Sequence, residues 1–294
     1  MPRHRIHNEG YFGRSLWVVG VAFCVFGLDL SHDARAQSIP EPVQVAQSNP
    51  FSALVGEKRK RREIRDDRVQ REKYILASSD RAFLFESRGE EARLKFLCEP
   101  DDLRLDCFID PEGSATEIYV VTPIRGPRGD IIYKAADGTT LLRIASYGGA
   151  TVYWPGSTVG SAASKSFGED LPLVLQPYPF SAVLRRATAA SALLSARTGE
   201  PLVFDVATDR GEKSGNAVLA DAIVMTAKGL NEIAVDATGA KILGRRIDRV
   251  RFVRAEAPTI TLQGSILKVE YVPDQDIGGR LTSSAIVQFL ENTL

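Results

Sequence analysis

The sequence predicts an α+β protein in which a small antiparallel all-β meander or sandwich is followed by an α+β unit with helices packed on an antiparallel sheet. Residues 74–156 contain short runs of β-branched and aromatic residues, separated by Gly, Pro and Asp turns. Residues 171–294 combine a helical spacing of apolar residues with alternating strands. The small and polar residues of 156–170 indicate a loop between these two domains.

The N-terminal segment, residues 1–36, has the parts of a secretory signal peptide. Arginines precede an apolar run at residues 16–30, and an Ala-Arg-Ala site at 34–36 follows. The run is shorter than the roughly 20 residues that a membrane-spanning helix needs. We therefore expect cleavage between Ala36 and Gln37 and a periplasmic protein; the alternative is an N-terminal membrane anchor.

Removal of this segment changes which chemistries the chain can perform. All three histidines, His4, His7 and His32, lie within it. The mature chain then has no Ser-His-Asp triad, no Cys-His pair and no histidine-rich metal site. Because basic and acidic residues are balanced at 37 each in the full chain, we also expect no nucleic-acid partner. We predict no catalytic, cofactor-binding or metal-binding residues and no cofactor.

Residues 37–73 are predicted to be a linker. Its first part is rich in Pro and Gln, and residues 57–73 are almost entirely charged. Such a segment buries little apolar surface, so it is either a solvated spacer or a weak contact with an anionic membrane surface.

In the β domain, residues 74–79 and 82–87 are predicted to form a hairpin across Asp80-Arg81. Residues 93–98, 103–109 and 117–122 are predicted to be further strands. Seven or eight short strands in this stretch are typical of a small all-β sheet or sandwich.

Residues 125–155 are the most regular part of the chain. Their turns have the glycines, the proline and the aspartates that tight β-connections require, and their strands are short and β-branched. Pro155 ends the last strand, since proline cannot donate to a sheet ladder. The residues that define this motif are Gly126, Pro127, Arg128, Gly129, Asp130, Tyr133, Gly148 and Gly149.

This GPRGDxIY … GGxTVY pattern resembles a family of exported proteobacterial envelope proteins that is classed only as a domain of unknown function. The clear resemblance covers about thirty residues, 125–155. The resemblance implies a location in the cell envelope, and it implies no activity because none is known for the family.

The cysteine count of the mature chain is even, because Cys24 lies in the signal peptide and only Cys98 and Cys107 are left. Export to an oxidising compartment favours a disulfide between them, and two predicted neighbouring strands would bring them close enough. The alternative is a pair of buried apolar thiols.

The second domain is predicted to contain three helices, at residues 180–197, at about 214–234 and at 281–294. Gly199 is placed to end the first helix, and Thr282 or Ser283 to cap the last. Four strands are expected, at residues 202–206, 249–254, 259–263 and 266–272.

Several polar groups in this domain are candidate functional sites. Asp205 and Asp209 flank the end of one strand, and Asp274 and Asp276 lie in a loop that lacks the later ligands of a calcium site. A stripe of arginines around 245–254 is either an anion-binding face or a solvent face. The S-x-x-K pair Ser265 and Lys268 is predicted to lie within a strand, where a penicillin-interacting enzyme would have a helix start.

Two functional hypotheses follow. The first is a non-enzymatic periplasmic module that binds or scaffolds an unidentified envelope partner or ligand. The second is a histidine-free hydrolase or transferase that uses Asp, Glu, Ser or Lys on a cell-envelope or carbohydrate substrate, since glycosidases need only two carboxylates.

Overall fold

The computed structural model describes residues 69–100, 102–110, 116–167, 172–206 and 213–294. The predicted signal peptide, its cleavage site at Ala36 and Gln37, the linker up to residue 68 and Asp209 lie outside the described residues. Within them the protein is α+β, as predicted, and no described helix combines the length and the apolar character needed to cross a membrane.

The first half of the described chain forms a closed eight-stranded antiparallel barrel, in which each strand pairs with the next and β8 pairs with β1. This closure is more specific than the predicted meander or sandwich. The strands are β1 Gln70–Leu76, β2 Ala82–Arg88, β3 Glu91–Phe96, β4 Ile118–Arg125, β5 Ile131–Lys134, β6 Thr140–Ile144, β7 Ala150–Tyr153 and β8 Gly160–Ser166.

Alternate residues of these strands point inward and fill the barrel with apolar side chains. Tyr74 stacks on Phe83 with ring centroids 4.9 Å apart, and Phe96 packs edge-on against Trp154 at 4.5 Å. Leu142 is completely buried at the opposite wall. The barrel is therefore a packed core.

Two predictions in this region were wrong, and β1 begins at Gln70, within the stretch 37–73 that was predicted to be a linker. β8 lies within 156–170, which was predicted to be a loop, because its Gly, Ser, Ala and Lys residues carry no apolar alternation. It is held by backbone pairing with β7 and β1. Residues 103–109 were predicted to be a strand, but helix α1 spans Leu105–Ile109. Leu105 and Ile109 are four residues apart, so one helical face buries both in the second domain.

The second half of the described chain contains a four-stranded sheet in the order β11-β12-β10-β9 and four α-helices. The elements are α2 Phe180–Thr198, β9 Val203–Val206, α3 Lys213–Ile233, α4 Ala237–Arg246, β10 Arg249–Arg254, β11 Thr259–Gln263, β12 Ile266–Tyr271 and α5 Ser283–Thr293. Helix α4 was not predicted.

The predicted antiparallel sheet is mixed instead. β10 runs parallel to both β9 and β12, and only β11 and β12 are antiparallel. The reason is the connection: α3 and α4 form a long crossover from β9 to β10, and such a crossover joins parallel strands. The predicted caps are confirmed at Gly199, which is left-handed with φ 76°, and at Thr282, whose side chain accepts from Ala285 N.

One face of this sheet is apolar and packs against the helices. Phe204, Val250, Phe252, Leu267 and Val269 are buried there in one large core. The opposite face carries polar and charged residues, since residues alternate along each strand.

Candidate functional site

Charged side chains are concentrated where the barrel meets the helices. Glu117, just before β4, is almost completely buried and contacts α3 and α5. Lys228 of α3 donates from Nζ to Glu117 Oε2 at 2.6 Å and to the Tyr119 hydroxyl at 2.9 Å. Ser283 Oγ at the start of α5 donates to the same Glu117 oxygen at 2.8 Å, and Asp106 of α1 lies 3.8 Å from Lys228.

These contacts keep both members of the central pair charged. Burial alone would raise the pKa of Glu117, but the charge and hydrogen bond of Lys228, with Arg280 and Ser283, bring that pKa below its ordinary value. Burial would lower the pKa of Lys228, yet the charge of Glu117, followed by those of Tyr119 and Asp106, raises it above the usual lysine range. Lys228 is therefore not a neutral amine that could act as a base or nucleophile at pH 7.

A second buried pair lies beside the first. Arg280 donates to Asp221 of α3 and to the backbone carbonyl of Ile118 in β4, so it connects the two halves of the fold. Burial raises the pKa of the Asp221 carboxyl although Arg280 opposes it. Further along, Arg186 of α2 donates to Asp110 at 2.9 Å. Together these groups form an ionic layer between barrel and helices.

Three pockets that share lining residues lie near the carboxyl ends of β10 and β12 and the first turns of α3, and together they are called the crevice. One part is a cavity of about 250 Å³ and another of about 420 Å³. The first is lined by Asp205, Leu219, Arg251, Phe252, Val253, Arg254 and Tyr271. Between the two, Val218, Tyr271 and Gln275 line a much smaller pocket whose wall includes Asp221 and Arg280. The crevice thus reaches the edge of the ionic layer.

The position of the crevice has a topological cause. In open sheets with parallel strands, ligands bind outside the carboxyl ends of the strands, where the following loops diverge. Asp205 of β9 and Arg251 of β10 are register partners, and their side chains are 3.1 Å apart. Arg249 also contacts Asp205, at 3.4 Å. One carboxylate is therefore shared by two guanidinium groups, which leaves a positive charge that Asp205 does not balance.

The motif residues lie elsewhere, at one end of the barrel. Asp130 is buried; it accepts from Arg143 Nε at 2.9 Å and from Ser146 N at 3.2 Å, so it joins the β4–β5 and β6–β7 turns. The hydrogen bond from Arg143 lowers the pKa of Asp130. Arg128 at the tip adopts φ 62°, a conformation rare for a non-glycine residue, and Gly148 has φ 92°. These contacts give the motif a structural role in the barrel turns.

The two cysteines are close together in space. Cys98 follows β3 and Cys107 lies in α1, and their Sγ atoms are 2.06 Å apart, the distance of a disulfide bond. The same sulfur atoms and an Asp102 oxygen lie within 4.8 Å of one another, in the manner of a metal site. A sulfur in a disulfide is not a thiolate ligand, and the guanidinium of Arg104 is 2.8 Å from Asp102, so the arrangement does not suit a cation.

The remaining candidates are not brought together. Ser265 Oγ donates to Asp248 and Lys268 Nζ to Glu270, so each has a carboxylate partner of its own. Asp274 and Asp276 line the larger cavity of the crevice, where Asp276 lies 3.5 Å from Arg93 of the barrel.

Sequence reasoning missed the ionic layer. Asp221 and Lys228 were available as a signal, since both are charged residues inside the mostly apolar stretch 217–230 of helix α3. Glu117 gave no such signal, because its burial depends on α5 and α3, which lie more than a hundred residues further along the chain.

Comparison with curated proteins and with solved structures finds no match. A family profile described as a domain of unknown function, DUF4908, matches residues 50–290 and so spans both the barrel and the α/β half. The chain belongs to this family of domains of unknown function.

Proposed function

We propose that the protein is a non-enzymatic binding module of the bacterial cell envelope, exported to the periplasm with its signal peptide removed, and that the crevice is its ligand site. The observation that carries this proposal is the cavity of about 250 Å³ at the carboxyl ends of the parallel strands, with Arg251 and Arg254 in its lining. Ligand binding in the crevice requires only a complementary shape and charge. The nearby ion pairs of the ionic layer hold the residues that line the crevice in place.

The lining indicates the chemistry of the ligand. Leu219, Phe252 and Tyr271 offer apolar surface, while Arg251 of the lining shares the carboxylate of Asp205 with Arg249, which lies outside the lining. Guanidinium groups recognise planar anions with paired hydrogen bonds. The ligand is therefore an apolar or aromatic group that carries a carboxylate or phosphate.

Titration of the isotope-labelled mature chain with aromatic carboxylates, followed by NMR, tests the site. Backbone amide signals of Arg251, Phe252 and Tyr271 should shift with the free acids and stay in place with the matching amides. Arg251→Glu should abolish the shifts. Arg245→Glu, an exposed arginine outside the crevice, should keep them. Equal responses to acids and amides, or unchanged shifts in Arg251→Glu, would contradict the proposal.

Export is tested separately. N-terminal sequencing of the protein from its native host should begin at Gln37. Intact Met1 in a membrane fraction would support the anchored alternative instead.

A histidine-free hydrolase or transferase is the second candidate, favoured by one observation. Asp221 lines the small central pocket, and burial raises the pKa of its carboxyl, as a general acid requires. An activity on carbohydrate or peptide substrates that Asp221→Asn abolishes, with the anion titration unchanged, would favour the enzyme over the binding module.

A further inference from the structure

The two edge strands of the four-stranded sheet, β9 and β11, differ in whether their outward backbone groups are hydrogen-bonded. At the β9 edge, Leu202 N and Phe204 N point away from β10 and donate to Ser195 Oγ and Ser191 Oγ of α2, both at 2.9 Å. Helix α2 thus satisfies the backbone groups that would otherwise be open to another strand. Natural proteins protect sheet edges in such ways because an open edge is a template for pairing.

The hydrogen-bond pattern shows which groups point outward at the other edge, β11. Arg249 N donates to Ser265 O, so the odd-numbered residues of β12 face β10 and the even-numbered ones face β11. Lys268 of β12 is the register partner of Thr261, so the backbone N–H and C=O groups of Thr261 point towards β12. The backbone groups of Ile260 and Leu262 point away from the sheet.

The five residues of β11 offer none of these protections in the described part of the chain, although Pro258, which lacks a backbone N–H, directly precedes the strand. No hydrogen bond of the described residues engages the outward backbone of β11. The strand, TITLQ, has no charge, no proline and no bulge. The Thr261 hydroxyl at its centre is buried and has no hydrogen-bond partner among the described residues.

We propose that β11 pairs with β11 of a second copy of this chain, antiparallel and centred on Thr261. In this register Ile260 faces Leu262 of the other copy, and each such pair exchanges both of its backbone hydrogen bonds. Thr261 meets Thr261 at the two-fold axis in a non-hydrogen-bonded pair, where side chains approach most closely. The sheet continues across the dimer, with apolar residues on one face and Thr and Gln on the other.

A second copy fits this edge better than a charged partner does. The strand is neutral and nearly symmetric about its centre, with Thr and Gln at its ends and Ile and Leu at equivalent positions. When such a strand pairs with itself in the antiparallel direction, apolar residues lie opposite apolar residues on one face of the sheet, and polar residues lie opposite polar residues on the other. The dimer is of the isologous type that closed two-fold assemblies use.

Light scattering coupled to size exclusion of the mature chain, at several concentrations, tests the proposal. The wild type should be a dimer. Thr261→Glu places two like charges opposite each other on the axis and should raise the dimer dissociation constant about fivefold or more. Within the monomer the new carboxylate faces Lys268, so folding should persist. Gln263→Glu, with the same charge on the same strand, faces Thr259 of the other copy and should leave the dimer intact.

Mixing Thr261→Glu with Thr261→Lys should restore dimers, because opposite charges then meet at the axis. Amide hydrogen exchange should show concentration-dependent protection at Ile260 and Leu262. A wild-type protein that stays monomeric at all concentrations would overturn the proposal. The β11 edge would then be open to residues 37–68 of the same chain or to a different protein. Equal effects of Thr261→Glu and Gln263→Glu would overturn it as well.

Discussion

The barrel interior and the ionic layer are both buried, yet they are built from opposite kinds of side chain. The barrel is filled with aromatic and aliphatic groups whose contacts are non-directional. The ionic layer contains Glu117, Lys228, Asp221 and Arg280, whose hydrogen bonds fix particular atoms against one another. Tyr119 belongs to both, since its ring packs on Phe96 in the barrel and its hydroxyl accepts from Lys228. The difference indicates that packing stabilises the barrel while paired charges orient it on the helices.

The largest expected effect comes from breaking one charge pair. Lys228→Met removes the hydrogen-bonded cation of the buried Glu117 carboxylate and should lower the free energy of unfolding by about 3–5 kcal/mol. Adding Glu117→Gln should recover much of this loss, because the unpaired charge is gone. Denaturant unfolding measures both. Lys241→Met, an exposed lysine of α4, is the control. A double variant as unstable as the sum of the single ones would show that the pair is not coupled.

A substitution in the barrel interior should also destabilise the protein, but no second substitution is expected to recover the lost stability. Leu142→Ala removes a fully buried side chain and should cost about 2–5 kcal/mol through lost burial and a cavity. Leu184→Ala in α2, where the leucine is 42% exposed, should cost much less. Similar losses at the two positions would mean that the barrel interior is not the close-packed core described above.

The predicted Cys98–Cys107 disulfide would join the end of β3 in the barrel to α1, which carries Asp106 to the ionic layer. Cys98→Ser with Cys107→Ser should lower the free energy of unfolding by about 2.5–3 kcal/mol on the chain-entropy account of a loop of about ten residues. The bond itself is checked by thiol titration of the unfolded mature chain. None should react before reductant and two after; two free thiols without reductant would refute the bond.

The smallest effect is the dependence on pH. The folded pKa of Glu117 is below its ordinary 4.5, so its contribution to stability is complete above that value and is lost as the pH falls through the folded pKa. The difference in unfolding free energy between wild type and Glu117→Gln should therefore shrink on acidification. Glu200→Gln, at an exposed position of the second domain, is the control variant. A constant difference down to acidic pH would argue that Glu117 is not held ionised by Lys228.

Local sequence patterns placed most helices and strands, but not their partners. The hairpin turns of 125–155, the helix end at Gly199 and the cap at Thr282 were all predictable, because turn and cap geometry depends on residues a few positions apart. The crevice was only partly predictable from the sequence. Asp205 and the arginines of β10 were identified as candidates, while the lining residues from α3 and from 273–277 were not.

The sequence by itself determined the α+β class, the positions of most strands and helices, and the candidate pair of cysteines, since periodicity and turn residues act locally. Only the tertiary structure decided that β8 closes a barrel, that residues 105–109 are helical, and that β9, β10 and β12 run parallel. It also decided that Glu117 meets Lys228, 111 residues away. The physical reason is that sheet closure and the pairing of buried charges depend on groups that are distant in the chain and become neighbours only when both cores are packed.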